Sequence, residues 1–404
     1  MTQEQIAEKL YESVRRLGNS SDKKRAFIKL PSIILKLAKE IESMTYRPNR
    51  FRVFIVTDPK VREIFAPDFR DRLVQQWLIG MVEPTIDKQF IDDSFANRKG
   101  KGTLAAIKRV QHFMRKKQNT HYCQLDIRSF FPTIDRCILL SLWKKQLHRL
   151  PYDEMTLQQI DAVATTIITQ SPTKPAPLMS GRRDLLSSIP SHKSLFHAKE
   201  GIGLPIGSLS SQFFSNLYLN ELDQYVKHTL KINSYVRYVD DMMLLDNDVQ
   251  LLMEQKNKIN DFLRVNLGLS LHPNKVVLQR VKQGANFLGA IVFPHHTYVR
   301  RRQIKSLKAR IDFFDSLLHP VNSSFRNAPT GGSWGKCVST GECVDLPVQT
   351  KQQKILATIN SYFGLFVQSH SFKLRYKLFV NNTFLNDSLL PSNADITHFC
   401  CFKS

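Results

Sequence analysis

Three aspartates stand at positions where their carboxylates can hold cations. Asp240 and Asp241 interrupt the apolar, strand-forming segment Ser234–Leu245, and Asp126 lies in a second short strand-like run, Tyr122–Ile127. Burying carboxylates in such segments is costly unless a cation compensates them. Because successive strand residues point to opposite faces, adjacent aspartates can reach one site only where the chain turns. The pattern therefore predicts a hairpin whose tip carries Asp240 and Asp241.

The chemistry predicted for these carboxylates is metal-dependent. Asp126, at a neighbouring strand end, would complete a set of hard oxygen ligands of the kind that Mg²⁺ prefers. Two such ions ~3.5–4 Å apart can activate a primer 3′-hydroxyl and stabilise the leaving pyrophosphate in an in-line displacement, which is nucleotidyl transfer. An Asp-Asp pair alone is equally typical of an ordinary turn, so the prediction depends on both acidic segments and on the charge of the chain.

The chain is strongly basic. Its 404 residues include 58 Lys and Arg against 35 Asp and Glu, which gives a formal charge of +23. Such an excess repels itself unless the protein works against a polyanion, so nucleic acid is the first partner to consider, with membrane surfaces and ribosomes as alternatives. No run approaches the ~18 apolar residues of a membrane span, and the first residues are polar, so we expect a soluble, intracellular protein without a membrane partner.

The six cysteines do not pair in Cys-x-x-Cys motifs. Buried free thiols are the expected state, because two of the cysteines lie in apolar segments where a thiol acts as a small hydrophobe. The alternative is a metal site, despite irregular spacing, formed by four of them: Cys337, Cys343, Cys400 and Cys401.

Hydrophobic spacing predicts the elements of the first half of the chain. Residues 1–50 are expected to be mostly helical and to be followed by a strand at Phe51–Val56. From Asp58 to Met114 we expect polar and basic sequence with short helices. Within it, the glycines of Asn97–Gly102 allow a close backbone approach that suits a phosphate-rich ligand, although a solvated turn is the alternative.

The second half is predicted to be more irregular. A helix is expected from Thr133, an irregular Ser/Pro-rich insertion at residues 171–200, and an amphipathic helix after Gly207. A basic helix is expected after Arg300-Arg301-Arg302. It should be interrupted by the Gly/Ser/Pro-rich residues 319–347 and resume at about Gln349.

The ordered motifs resemble those of reverse transcriptases. Leu125–Pro132 is similar to motif A of that family, Gly203–Gln212 occupies the position of motif B, and Tyr238–Asp241 is similar to motif C. The resemblance covers roughly residues 45–380. It implies an α/β (α+β) class and a right-hand polymerase fold with fingers, an antiparallel-sheet palm and a helical thumb. It also implies an RNA-directed DNA polymerase, a transferase that binds RNA and DNA.

The resemblance also implies a domain division. N-terminal helices and fingers are expected at residues 1–115. The palm is expected at 116–300, with a fingers-like insertion at about 145–200, and the thumb and C-terminal tail at 301–404.

A subgroup is indicated by the motif B segment. Ile206-Gly207, followed by three residues and then Ser211-Gln212, is similar to the version in diversity-generating retroelement reverse transcriptases, where most relatives have Pro-Gln-Gly. Three further segments resemble that subgroup: Asn97–Thr103, Phe287–Gly289 with Arg300–Arg302, and Asn360–Gly364. The resemblance implies copying of a template RNA into cDNA with misincorporation opposite adenines, which diversifies a target gene.

The resemblance to reverse transcriptases also implies roles for individual residues. The implied catalytic residues are Asp126, Asp240, Asp241 and Lys275. Two Mg²⁺ ions, with Mn²⁺ as an alternative, would be held by Asp126, Ile127, Asp240 and Asp241. The implied nucleotide-binding residues are Lys60, Arg62, Phe131, Ile206, Gly207 and Gln212.

Each nucleotide-site role has a simpler alternative. Phe131 is expected to exclude a 2′-hydroxyl by its bulk, but it could be a core phenylalanine. Lys60 and Arg62 are expected to clamp triphosphate, but they could be solvated cations. Ile206 offers only shape and apolar contact where an amide could hydrogen-bond, so discrimination should be weaker, unless it merely packs within its loop. Lys275 is expected to act as a general acid near the pyrophosphate.

The implied partners are template RNA, primer, cDNA product, deoxynucleotides and a small basic accessory protein, in a prokaryotic or phage-encoded, cytoplasmic setting. The alternative keeps the chemistry and changes the biology: a retron-type, antiphage-defence or group II intron-like reverse transcriptase. An alternative of another class is a catalytically idle nucleic-acid-binding scaffold, against which the intact carboxylates argue.

Overall fold

The structure, a computed structural model, describes residues 1–18, 23, 26–57, 60–318 and 348–402. The chain divides into two compact units. The first comprises Met1–Ile55, Val61–Ala106 and His121–Leu278, and the second comprises Val56–Lys60, Ile107–Thr120 and Gln279–Ser404. The fold is a mixture of helices and sheets, as expected, whereas the three-domain division stays a prediction.

The elements are numbered in chain order. The α-helices are α1 Gln3–Arg16, α2 Leu30–Glu42, α3 Phe69–Ile86, α4 Thr103–Met114, α5 Phe130–Thr133, α6 Arg136–Leu147, α7 Glu154–Thr169, α8 Leu209–Gln224, α9 Val249–Leu267, α10 Arg301–Leu318, α11 Val348–Val367, α12 Phe372–Val380 and α13 Thr383–Ser388. The strands are β1 Arg52–Val56, β2 Arg62–Ala66, β3 His121–Asp126, β4 Leu178–Met179, β5 Tyr235–Tyr238, β6 Asp241–Asp246, β7 Val277–Arg280, β8 Ala285–Phe287, β9 Ala290–Val292, β10 Thr297–Val299, β11 Leu389–Pro391 and β12 Phe399–Phe402.

The central sheet of the first unit places β6 between β5 and β3, with antiparallel pairing on both sides. Residues Met242–Leu245 of β6 are all buried, Met242 and Leu244 belong to the continuous apolar core of the unit, and α9 packs on both β3 and β6. A strand buried in this way is apolar at every position rather than alternating. The predicted strand at Tyr122–Ile127 and the predicted hairpin within Ser234–Leu245 are confirmed.

Three helix predictions need correction. The stretch from Asp58 to Met114 contains the 18-residue α3, which is largely buried. Charged residues such as Asp71 make its sequence look polar. In the structure Asp71 is buried and accepts hydrogen bonds from Tyr46 Oη at 2.9 Å and from the Asn49 amide at 2.8 Å. The helix expected from Thr133 begins at Arg136, since Asp135 caps it. Helix α8 is buried on most of its surface and is therefore not amphipathic, because it lies at the centre of the core.

The Ser/Pro-rich insertion is tied to two strands near the start of the chain. Leu178 and Met179 pair in parallel with Arg52 and Val53 of β1. Glu63 of β2 is buried and accepts hydrogen bonds from Ser194 Oγ, at 2.9 Å, and from the Leu195 amide. The remainder of the insertion consists of short 3-10 turns, so its predicted irregular character is confirmed.

The second unit has its own apolar core. Helices α10 and α11 contribute Leu307, Phe314, Ile359 and Phe363, which are fully buried. The basic helix predicted after Arg302 and its continuation from about Gln349 agree with α10 and α11. Residues 319–347, including Cys337 and Cys343, lie outside the described residues.

The expectation of buried thiols is correct for Cys123 alone among the described cysteines. Burial raises the pKa of Cys123 to about 11. Cys137 is exposed on the outer face of the first turn of α6, and Cys400 and Cys401 are exposed on β12. No helix in the described part of the chain is long and apolar enough to cross a membrane.

Candidate active site

The hairpin of β5 and β6 carries two of the predicted carboxylates at its tip. Tyr238 pairs with Asp241 across the hairpin, which leaves Val239 and Asp240 as the two residues of the turn. Val239 has a φ of 56°, in the left-handed region that a β-branched side chain rarely adopts. Asp240 and Asp241 are both partly buried at this turn.

The third carboxylate reaches the hairpin through strand register. Asp126 is the last residue of β3 and is the direct antiparallel partner of Asp241. Directly opposed residues in such a pair have Cβ atoms roughly 4.5–5.5 Å apart. The structure therefore brings Asp126 together with Asp240 and Asp241, which lie more than a hundred residues further along the chain.

Lys275 lies beside the Asp126 carboxylate. Its ammonium group is paired with the Asp126 carboxylate, and the His272 amide donates to the Asp126 carbonyl at 2.7 Å. The Lys275 side chain is 47% exposed, whereas that of Asp126 is 15% exposed. Lys275 is thus a half-exposed cation paired with a largely buried carboxylate.

The carboxylates around the turn repel one another more than the nearby cation compensates. Burial, followed by repulsion from the Asp126 and Asp241 carboxylates, raises the pKa of Asp240 to about 7, and Lys275 offsets only part of this effect. A carboxylate whose pKa is raised in this way by its neighbours is typical of a functional site, because the excess negative charge favours a bound cation.

A comparison with protein families identifies the chain. The family model described as "Reverse transcriptase (RNA-dependent DNA polymerase)" matches residues 57–292, more than half of the sequence. The chain belongs to the reverse transcriptase family. The matched region contains all three carboxylates and Lys275, and the family match confirms the predicted enzyme class and right-hand polymerase fold.

Two relatives are similar to this reverse transcriptase in sequence. Protein YkfC of Escherichia coli (strain K12) is 23% identical over 303 residues, which cover 66% of this chain and 71% of that protein. The putative COX1/OXI3 intron 2 protein of Saccharomyces cerevisiae is 24% identical over 324 residues, which cover 64% of this chain and 34% of that protein. The reverse transcriptase thus spans about a third of the yeast relative's length.

Solved structures of telomerases are also similar. Telomerase from Candida albicans, in complex with a TWJ fragment of telomeric RNA, matches with a TM-score of 0.40 and 11% identity over 85% of this chain and 61% of that chain. Apo telomerase from Candida tropicalis matches with a TM-score of 0.42 and 12% identity over 62% and 55% of the two chains.

The motif B turn of the reverse transcriptase is held at both ends. The amides of Gly203 and Leu204 donate to the carbonyls of Ile134 and Phe131, at 2.7 and 2.9 Å. At the other end, the Phe65 amide donates to the Ile206 carbonyl at 2.7 Å. The turn therefore connects the segment after Asp126 with strand β2.

Gly207 is required by this geometry. Its φ is +110°, and a Cβ atom there would lie 2.6 Å from Ile64 Cγ2 and 3.0 Å from the Phe65 carbonyl oxygen. Any side chain would therefore push the turn away from β2. Ile206 is partly buried and does not belong to the buried core.

The other predicted nucleotide-site residues differ in their surroundings. Phe131 is half-buried and packs on Phe130, with ring centroids 5.3 Å apart. Gln212 is exposed on the first turn of α8, and Arg62 is exposed at the start of β2. Lys60 is exposed in the Val56–Lys60 segment of the second unit, and its neighbours Asp58 and Pro59 lie outside the described residues.

Two cations of the Asn97–Gly102 loop, Arg98 and Lys101, have hydrogen-bond acceptors within the protein. Arg98 is largely buried and donates to the Asp87 carboxylate at 2.6 Å and to the Ile91 carbonyl at 2.6 Å. Lys101 donates to the Asp92 carbonyl at 2.8 Å. Arg98 therefore stabilises the loop itself, and a close approach of a phosphate-rich ligand to the loop backbone stays a prediction.

A buried ion pair between strand β5 and helix α8 was not predicted from the sequence. Arg237 and Asp223 are both completely buried and form an ion pair at 2.6 Å, and Tyr235 Oη donates to Asp223 at 2.9 Å. Burial alone would lower the pKa of Arg237, but the Asp223 carboxylate reverses the effect and the pKa is raised. The available signal was a lone arginine within the apolar strand Tyr235–Tyr238.

The site residues fit a divalent cation by chemistry and charge. In the described part of the chain, no three metal-ligating side chains are already arranged around one point, and the Asp126 carboxylate is paired with Lys275 instead. The carboxylates nevertheless provide hard oxygen donors, and the repulsion that acts on Asp240 is what a cation would relieve. Ile127 could contribute only its backbone carbonyl.

Proposed function

We propose that this reverse transcriptase extends a primer along an RNA template by two-metal nucleotidyl transfer at Asp126, Asp240 and Asp241. The observation that supports this most strongly is the pairing of Asp126 with Asp241 beside the Asp240 turn. These carboxylates would hold Mg²⁺, which when bound supplies charge neutralisation and activation of the primer hydroxyl. Template RNA, primer and deoxynucleotides are the substrates of this proposal.

Lys275 has a proposed role in proton transfer. Its ammonium is paired with Asp126 and is nearly half exposed, so it can move away once a cation occupies the carboxylate. A mobile ammonium beside the reacting phosphates can donate a proton to the leaving pyrophosphate. Substitution by methionine should therefore slow incorporation without preventing it.

The nucleotide pocket is proposed to lie along the motif B turn. Phe131 and Ile206 are both only partly buried, and the turn Gly203–Gly207 joins the Phe131 carbonyl at one end to strand β2 at the other. The ring of Phe131 would exclude a ribose 2′-hydroxyl by its bulk. Gly207 would contribute by letting the turn lie close against β2, from which Arg62 would contact the triphosphate.

The experiment is Mg²⁺-dependent extension of a primed RNA template. Asp126→Ala and Asp240→Ala should each abolish incorporation while template binding survives, because each removes a cation ligand and no basic side chain. Asp246→Asn is the matched control: it changes a carboxylate at the opposite end of β6, where Asp246 pairs with His121. Full activity in either alanine variant would contradict the two-metal assignment.

We also propose the diversity-generating subtype, with errors at template adenines. The proposal is supported by Ile206, which is only partly buried and is not a core residue. An amide at this position could add a hydrogen bond worth ~0.5–1.5 kcal/mol, and ~1.4 kcal/mol is tenfold in discrimination. Ile206→Gln should therefore lower errors opposite adenine several-fold, with smaller changes opposite other bases, when cDNA from both proteins on one template is sequenced.

A second candidate is an intron-associated reverse transcriptase. It is favoured by the 24% identity to the yeast intron 2 protein, of which the matched segment is 34%. The same sequencing experiment separates the two candidates. A low adenine error rate in the wild-type protein, unchanged in Ile206→Gln, would favour the intron-like or defence alternatives.

A further inference from the structure

Arg237 is a completely buried cation directly before the Asp240 turn. Its Nε and Nη2 atoms donate to the Asp223 carboxylate at 2.6–2.9 Å. Nη2 also donates to Ser94 Oγ at 3.0 Å, and Nη1 donates to Asn216 Oδ1 at 3.3 Å. The remaining donor of Nη1 reaches the Val239 carbonyl at 3.0 Å. All five N–H groups of the guanidinium thus have acceptors.

The contact with Val239 is distinct from the ion pair. Asp223 requires only Nε and Nη2, and these atoms lie on the other edge of the planar guanidinium. A charge that served only to compensate Asp223 would need no contact with the turn. The fork of an arginine can reach both places at once, whereas a lysine has a single nitrogen.

Val239 is where the turn needs support. Its φ of 56° is unfavourable for a β-branched residue, so the turn depends on surrounding contacts that hold this conformation. The Val239 carbonyl belongs to the planar peptide group that contains the Asp240 amide. A hydrogen bond that fixes this carbonyl therefore fixes the backbone from which the Asp240 side chain projects.

We propose that Arg237 is a positioning residue for Asp240: by holding the Val239 carbonyl, it stabilises the left-handed turn that presents the Asp240 carboxylate to a divalent cation. The inference rests on the proposed function of this turn as a metal site. It adds that the buried Arg237–Asp223 pair sets the geometry of the turn and does not only neutralise charge.

The test uses two variants that keep the charges of the cluster balanced. Arg237→Lys retains a cation for Asp223 but cannot also reach Val239. The double variant Arg237→Met/Asp223→Asn removes both charges, and such replacements of buried pairs are often tolerated. Tyr235→Phe is the matched control, because Tyr235 donates to the same carboxylate and has no hydrogen bond to the turn.

Two readouts are measured on the full chain with primed RNA template. The single-turnover rate should fall at least about tenfold in both charge-balanced variants, since misplacement of a group by ~1 Å can cost ~100-fold. Mn²⁺ affinity, measured by electron paramagnetic resonance with a terminated primer and deoxynucleotide, should fall with it. Template affinity and the rate of Tyr235→Phe should stay close to wild type.

The outcomes separate the inference from the proposed function. Wild-type rate and Mn²⁺ affinity in either charge-balanced variant would overturn the positioning role, as would an equal loss in Tyr235→Phe. If the double variant does not fold, Arg237→Lys alone decides. A wild-type chain that neither binds Mn²⁺ nor extends a primer would instead contradict the proposed function on which the inference depends.

Discussion

Two clusters of charged residues meet at the β5–β6 hairpin and differ in how their carboxylates are balanced. Asp223 is completely buried, and its oxygens accept three hydrogen bonds from Arg237 and one from Tyr235. Asp240 faces the carboxylates of Asp126 and Asp241, and the Lys275 ammonium offsets only part of their repulsion. The first cluster is neutral and closed, whereas the second carries excess negative charge.

The difference indicates which cluster serves structure and which serves chemistry. A buried carboxylate with a full set of donors has nothing left to offer a ligand, and removal of its partner leaves an uncompensated charge. Carboxylates held together against their repulsion retain affinity for a cation. We therefore expect substitutions in the Asp240 cluster to lower activity more than stability, and substitutions in the Asp223 cluster to lower stability more than activity.

The largest expected effect is on catalysis at the open cluster. Asp240→Asn should reduce the single-turnover rate by roughly 1000-fold, since metal ligation contributes several kcal/mol and each 1.36 kcal/mol is tenfold. The free energy of unfolding should not fall, because the substitution removes a repelled carboxylate. Single-turnover kinetics combined with thermal unfolding tests both statements; a destabilised variant would break the comparison.

The closed cluster should give the reverse result. Asp223→Asn leaves Arg237 buried without its counter-charge, and breaking such a pair costs about 3–5 kcal/mol. A chemical unfolding titration should therefore show a marked loss of stability. If Asp223→Asn were as stable as Asp240→Asn, the distinction between the clusters would be wrong.

Much of the open cluster could be predicted from sequence, because its signals are local. A strand ending at Asp126 and an apolar segment broken by Asp240-Asp241 already indicate a strand end and a hairpin tip. The closed cluster could not, since Arg237 meets Asp223 only when β5 packs on α8. The spacing of residues along the chain does not indicate which buried charges will be neighbours.

The same reason explains the errors in the fold. Helix α3 carries Arg70, Asp71 and Arg72 in its first turn and so reads as polar, yet Asp71 is buried with donors from Tyr46 and Asn49. Helix α8 shows an apolar stripe in sequence, but tertiary packing buries its polar residues as well. Periodicity predicts that a helix exists more reliably than it predicts which faces are covered.

A smaller effect concerns pH. The pKa of Asp240 is about 7 in the folded, metal-free protein against an ordinary value of 3.8. Below 3.8 the group is protonated in both folded and unfolded chains; between there and about 7 only the folded chain keeps the proton. Stability should therefore fall as pH rises through this window, by up to about 1.4 kcal/mol per pH unit from this group. The difference between wild type and Asp240→Asn, measured without metal, isolates it; a difference that did not change with pH would contradict the assigned shift.

The central claim is that Asp126, Asp240 and Asp241 form one cation site for polymerisation, and the most direct test counts bound metal. Mn²⁺ bound per chain is measured by electron paramagnetic resonance in the complex with primed RNA template, a terminated primer and a deoxynucleotide. We expect two ions in the wild-type protein and in Asp246→Asn, and fewer in Asp240→Asn and Asp126→Asn. Two ions in every variant, with unchanged affinity, would contradict the account.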